Sequence, residues 1–449
     1  MTLARRTVRS VTWNAAANAV KTLILLARSI LLARWLPVAV FGVYGGADAL
    51  VSLTVTAAAF GMGGAFLHRN PHTADEAQAA AVHFTLKLAF TAVWALLMLG
   101  GAWRFTGGAD RLALSVLVLA NAGLQLAQTP QLIYQRRVEH RRLALNDLAG
   151  VLLGTLAALA LAWRGHALWA LLAVDLAMMI AALVGLYLWR PVWRPRLAWA
   201  PQAMRYFLRF GRRNFTAVAL WQALDRVDDL WTRLFLGEVA LGYYSRAYRF
   251  AIYPRLLFAN PLNAVATGLY AALHADRPRL SRAFMQTNGL LVRLGFWAAG
   301  GLALVAPEFI SLVLGDKWLP MLDAFRLMLV FTLLDPLKLT IANLFVAVGR
   351  PEQAARVRAV QLAALLLGLF TLGSRWGITG VALAVNLMLL LGIGLLLWLA
   401  RAHVDFSLTR LFAVPLAALA LGAGLAWAGL AAFGWEGLGL ALALTAVFK

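Results

Sequence analysis

An all-α integral membrane protein of about fourteen spanning helices is the fold class this sequence predicts. Three observations predict it. Hydrophobic residues make up 62% of the 449 positions, where a soluble globular chain averages about 45–50%. Apolar runs near the roughly 20 residues a spanning helix needs follow one another along nearly the whole chain. The basic residues fall mainly in the short stretches between those runs. No stretch is left over for a soluble catalytic domain.

The elements follow in order. Residues 13–35 form the first span, interrupted by Lys21 and Arg28. Arg5, Arg6 and Arg9 ahead of it mimic a signal peptide, but Arg28 breaks the apolar core and no small-residue cleavage site follows, so an uncleaved span is expected. Spans two and three are 40–66, with Asp48, and 80–102. The fourth, 112–133, carries a polar stripe of Asn121, Gln125 and Gln128 before Pro130. Spans 144–163 and 167–189 follow, the latter with Asp175. The seventh, 206–236, holds Asp225, Arg226, Asp228, Asp229 and Arg233, and the eighth, 240–273, holds Arg246, Arg249, Arg255 and the pair Asn260-Pro261. Span 284–306 precedes 321–348, in which Asp335-Pro336 comes just before Lys338 and marks an expected kink. Spans 355–374, 378–400, 410–430 and 434–448 complete the series. Apolar residues surround each segment, as on helices that face lipid.

The net charge of +22 is not spread as a nucleic-acid-binding protein would spread it. With the N-terminus inside, alternate loops hold Arg136, Arg137, Arg141 and Arg142, then Arg190, Arg194, Arg196 and Arg205, then Arg277, Arg279 and Arg282, then Arg350, Arg356 and Arg358, then Arg401 and Arg410. The opposite loops hold little beyond Arg104, Arg111, Arg164, Lys317 and Arg375. This is the positive-inside pattern, and it predicts an even number of spans with both termini cytoplasmic. The chain has no Cys, which excludes disulfides and Cys-ligated metals.

A weak internal repeat is visible. Leu36-Pro37-Val38-Ala39-Val40-Phe41-Gly42-Val43-Tyr44 links spans one and two, and Leu236-Gly237-Glu238-Val239-Ala240-Leu241-Gly242-Tyr243-Tyr244 links spans seven and eight. Asn14 and Asn214 keep the same offset of 200. Six helices separate the copies, so they have one orientation, as in a parallel duplication. The expected domains are 1–200 and 201–402, six helices each, and 403–449 with two more.

Charges within spans are the candidate functional residues. A charge at the bilayer centre costs about 2.5–3.5 kcal/mol on insertion scales, so it is retained mainly where it faces protein or a wetted cavity. Asn14, Lys21, Arg28 and Trp35 are spaced seven apart on one face of the first span, with Asn18 nearby. Lys21 and Arg28 lie about 5–6 Å either side of its midpoint, too deep for both to snorkel. Arg246, Arg249 and Tyr253 share a face of span eight. Arg offers a planar fork for phosphate or carboxylate, and Tyr offers hydroxyls and a surface for sugar rings. Lys338 adds a cation on span ten. Together these predict a cationic cavity for an anionic substrate, lined by Lys21, Arg28, Arg246, Arg249 and Lys338. Asp48, Asp175, Asp225 and Asp228 are candidates for ion coupling or gating; structural ion pairing is the alternative for the acids of span seven. There is no GxxxxGK[ST], no HExxH and no metal-ligand spacing among the seven His, with His166 and His403 in loops. Cofactors are not expected.

A family resemblance rests on Thr7-Val8-Arg9-Ser10-Val11-Thr12-Trp13-Asn14, Leu32-Ala33-Arg34-Trp35-Leu36-Pro37, Phe41-Gly42-Val43-Tyr44, Leu241-Gly242-Tyr243-Tyr244-Ser245-Arg246-Ala247-Tyr248, Leu314-Gly315-Asp316-Lys317-Trp318-Leu319-Pro320 and Gly377-Ile378-Thr379-Gly380-Val381-Ala382. In order and spacing they resemble the colanic-acid and teichuronic-acid exporter branch of the multidrug/oligosaccharidyl-lipid/polysaccharide superfamily. The resemblance implies two six-helix lobes, alternating access, and an undecaprenyl-diphosphate-linked glycan carried across the bacterial inner membrane for exopolysaccharide, capsule, O-antigen or lipopolysaccharide biosynthesis. It implies a flippase rather than an enzyme, with membrane lipids, a coupling H+ or Na+ and polysaccharide assembly proteins as partners. Related peptidoglycan-precursor flippases hold the diphosphate with basic residues of the first and eighth helices, where Lys21, Arg28 and Arg249 stand here. Two departures are Lys21 in place of Arg, and the stretch from Ala259 to Leu269, where relatives often carry a different proline-containing sequence. The rival functions are a cation-coupled drug antiporter of the same superfamily, which calls for an acidic cavity, and a membrane polysaccharide polymerase or ligase, which calls for substantial outer loops.

Overall fold

The computed structural model describes residues 20–69, 76–137, 139–189 and 191–433. Asn14, Asn18 and the expected span 434–448 lie outside the described residues, as do the side chains of Asn260 and Pro261. Every regular element among the described residues is helical. Backbone proximity divides the chain into two units, Met1–Leu230 and Trp231–Lys449.

The first unit begins with α1, described over 20–35. It continues with α2 (Val38–Ala59), α3 (Met62–His68), α4 (Glu76–Phe105), α5 (Gly108–Leu126), α6 (Gln128–Arg136), α7 (His140–Trp163) and α8 (Ala167–Leu183), which ends in a π turn at Val184–Leu188. Helix α9 (Pro201–Phe235) contains the division between the units. The second unit holds α10 (Glu238–Leu273), α11 (Arg277–Leu304), the short α12 (Ala306–Glu308), α13 (Leu322–Ala347), α14 (Pro351–Gly368), α15 (Ser374–Ala400) and α16 (Leu408–Phe433).

Local chemistry sets several boundaries. Asp276 caps α11, its carboxylate accepting from the Arg279 backbone N–H at 3.1 Å. Pro351 opens α14 at the first helical position, where its missing N–H costs nothing. Two expected spans are broken. The span at 40–66 divides into α2 and α3 because Phe60 and Gly61 both adopt left-handed φ, 44° and 65°. A Cβ at Gly61 would also lie 3.1 Å from the Asn214 Cβ and 3.2 Å from the Gly211 carbonyl, so backbone approach as well as φ requires glycine there. The span at 112–133 divides at Ala127, and Pro130 sits in the first turn of α6, where a helix tolerates proline. Helix α13 continues through Pro336. The polypeptide after α11 bends by 66° into 306–314.

Within the first unit α7 packs on α8, and α5 packs on α2, α4 and α8. Gly154 admits the first contact, since an added Cβ would come within 3.3 Å of the Val174 backbone, the small-residue contact common between membrane helices. Val51, Trp94, Leu117 and Leu172 join α2, α4, α5 and α8 in one apolar cluster. Phe66, Ile133 and Phe207 join α3, α6 and α9 in another. In the second unit α13 packs on α10, α11, α14 and α15, and Phe325 and Phe345 on it are fully buried.

Among the described residues seven helices are long and apolar enough to cross a membrane, or eight if the bent 277–314 pair counts as one span. The count of fourteen is therefore not reached by that criterion. Helices α9 and α10, the expected seventh and eighth spans, have 35 and 36 residues but carry many charges.

Candidate functional site

The charged side chains form separate groups within each unit. In the first, Lys21 of α1 makes an ion pair with Asp147 of α7. On α2, Tyr44 donates its hydroxyl hydrogen to Asp175 of α8 at 2.9 Å. One turn on, Asp48 pairs with Arg226 of α9 at 3.0 Å, and Arg226 also lies 3.6 Å from Asp229. Asp225 is exposed and accepts from the Trp221 indole N–H at 2.8 Å, while Asp228 is half-buried. Acids of α2 and α9 thus gather around Arg226. This is the pairing expected of charges kept away from water.

One buried cation escaped the sequence reading. Lys87 on α4 is fully buried. Its ammonium donates to the Gln125 side chain and, at 3.4 Å, to the Ala58 carbonyl in the last turn of α2. Four residues before it, the buried His83 meets Thr129 at 3.0 Å across the α5–α6 break. A lone Lys inside the apolar span 80–102 was the available signal. Asp147, inside the expected fifth span, was likewise overlooked.

The second unit is organised around Asp335 of α13, whose side chain is 5% exposed. It receives Lys338 at 2.6 Å and Arg255 of α10. Both cations also stand over the Phe331 ring, at 5.6 and 6.0 Å from its centroid. One carboxylate shared by two cations leaves a surplus positive charge. On α10, Arg246 is half-buried, Tyr253 is buried and Arg249 is exposed, so the three residues expected on one face differ in access. Among the described residues Arg249 makes no hydrogen bond or ion pair. A guanidinium without a partner, on the helix that also supplies Arg255, is chemically suited to a phosphate oxygen. Among the described residues no three His, Asp or Glu side chains converge as metal ligands.

Comparison with known proteins places this geometry. Residues 31–323 match the family model described as polysaccharide biosynthesis protein. The chain is 24% identical over 277 residues to the lipopolysaccharide biosynthesis protein WzxC of Escherichia coli strain K12, covering 61% of this chain and 56% of WzxC. It is 24% identical over 166 residues to the teichuronic acid biosynthesis protein TuaB of Bacillus subtilis strain 168, covering 37% of this chain and 34% of TuaB. These matches therefore span between a third and just over half of the relatives' own length. In fold, the chain is similar to the lipid II flippase MurJ in an inward closed conformation, with a TM-score of 0.78 and 12% identity over 97% of this chain and 96% of MurJ. It is also similar to an inward-facing multidrug resistance transporter of the MATE family in the MOP superfamily, with a TM-score of 0.67 and 16% identity over 86% and 98% of the two chains.

Proposed function

This chain belongs to the polysaccharide biosynthesis protein family, and we propose that it is a flippase that carries undecaprenyl-diphosphate-linked oligosaccharide units across the bacterial inner membrane. The observation that carries the reading is the coincidence, along one chain, of that family match with a fold shared over 97% of its length with a flippase. Hydrophilic glycan cannot cross hydrocarbon unaided, and burying its polar groups without partners costs roughly several kcal/mol each. The protein lowers that barrier by alternating access, exposing the bound headgroup first to one side of the membrane and then to the other. Lys21, Arg28, Arg246, Arg249 and Lys338 take the diphosphate. Asp48, Asp175, Asp225 and Asp228 couple the cycle to H+ or Na+, or gate it. Both termini are cytoplasmic, and residues 1–200 and 201–402 are the two copies of a duplication, with 403–449 appended. The protein moves its substrate and transforms no bond in it.

Deleting the gene tests the reading. Loss of a flippase leaves lipid-linked units facing the cytoplasm and abolishes surface polysaccharide. Single units facing outward in the deletion strain would instead indicate a polymerase or ligase. The fold is shared with multidrug transporters, so a cation-coupled drug antiporter is the second reading. The surplus cations around Asp335 weigh against it, and drug resistance unchanged by deletion removes it.

A further inference from the structure

Five amide side chains of the first unit gather around two cavities. Gln128, Gln131 and Gln135 occupy positions i, i+3 and i+7 of α6 and so share one face. Gln131 and Gln135 line two adjoining cavities at once, of about 340 Å³ and about 280 Å³. Asn146 and Asp147 of α7 line the larger, and Gln128 and Asn214 line the smaller. Among the described residues, none of these five amides makes a side-chain hydrogen bond. Several amides elsewhere among the described residues are committed. Asn121 donates to the Leu117 carbonyl at 2.9 Å, Asn288 to the Phe284 carbonyl at 2.9 Å, and Asn386 to the Leu327 carbonyl at 2.8 Å. Amides that converge on a cavity without protein partners are available to hydrogen-bond a ligand there.

The chemistry of the wall narrows the ligand. No Lys or Arg lines either cavity, so a free phosphate or diphosphate finds no counter-charge on the walls. Each primary amide supplies both donors and an acceptor, which matches a hydroxyl that must donate and accept together. Asp147 adds a carboxylate whose charge Lys21 offsets and whose remaining lone pairs accept from hydroxyls. Gly61, Gly63 and Gly64 complete the wall of the smaller cavity.

We propose that this amide set is a subsite for neutral, hydroxyl-rich sugar residues of the transported lipid, adjoining Lys21 of the cation set that takes its diphosphate. The inference rests on the flippase reading and adds where the glycan is recognised. Its test uses the full-length protein in lipid nanodiscs with two probes, undecaprenyl diphosphate and undecaprenyl diphosphate glucose. Wild type should bind the glucosylated lipid more tightly. The double variant Gln131→Leu/Gln135→Leu should lose that preference, about tenfold for two amide hydrogen bonds, with the Kd for the bare lipid unchanged. If the double variant binds neither lipid, the single variant Gln135→Leu, altered at an exposed position, should lose part of the preference. Equal affinity of wild type for the two lipids overturns the subsite, as does a preference that survives the substitutions, and both leave the flippase reading intact. A wild-type protein that binds neither lipid overturns both.

Discussion

In the first unit Lys21 and Arg226 meet counter-charges drawn from other helices, whereas the buried Lys87 of α4 has only neutral partners, the Gln125 amide and the Ala58 carbonyl. In the second, Arg255 and Lys338 share one carboxylate and Arg249 has no partner among the described residues. Lys21 with Asp147, and Arg226 with Asp48 and Asp229, are compensated locally. Compensated charges are a way for a membrane protein to tolerate polar residues, because each ion offsets the desolvation of the other. On the proposed reading Arg249 and the surplus cations around Asp335 serve an anion that arrives and leaves. The contrast teaches that the number of intramembrane charges says little. What distinguishes the units is the balance around each carboxylate.

The largest effect expected on breaking this contrast is at Asp335. Removing it leaves Arg255 and Lys338 facing each other in a buried site, so Asp335→Ala should cost about 3–5 kcal/mol, measured as unfolding in detergent. Lys338→Met in the same chain should recover part of the loss. A variant as stable as wild type would mean that the triad does not hold α10 to α13. Smaller is the effect of Asp48→Asn, about 1–2 kcal/mol, because the pair is partly solvated and Asp229 remains near Arg226. Smaller again is that of Lys21→Met, below about 1 kcal/mol, since Lys21 and Asp147 are 29% and 41% exposed. A loss at Lys21 equal to that at Asp335 would erase the distinction between the two pairs.

The smallest effect is a pH dependence outside the spans. In the turn between α15 and α16, burial and the nearby Arg350 and Arg277 guanidinium groups push the His403 imidazole below its ordinary value of 6.5. The unfolded chain then binds the proton more readily than the folded one. The contribution to stability is full above about pH 6.5 and is lost as pH falls through the lowered value. His403→Gln should flatten the unfolding temperature between pH 7 and pH 5 relative to wild type, and an unchanged pH profile would remove His403 as its source.

Long apolar runs and the alternation of basic loops made the helical membrane fold legible, because span length and hydropathy depend on composition alone. The breaks at Phe60-Gly61 and Ala127 were not legible, because hydropathy does not register backbone dihedrals. Nor were the pairs: Lys21 and Asp147 are 126 positions apart, and no local spacing joins them. Lys338 and Asp335, at i and i+3, were near enough to read, but the role of Arg255 as third member came only with the packing of α10 on α13. Gln131 and Gln135 passed unnoticed because amides near a helix end usually look like solvated surface. Only the cavities they line together set them apart.

On the proposed reading Arg249, which makes no hydrogen bond or ion pair among the described residues, serves the substrate rather than the fold. Replacing it tests this most directly, with surface polysaccharide and folded protein measured in the same complemented deletion strain. Arg249→Ala should lower export roughly tenfold or more, the worth of one charge-assisted phosphate contact, while stability stays within about 0.5 kcal/mol of wild type. Normal export by Arg249→Ala, or a loss of export explained by unfolding, would contradict it.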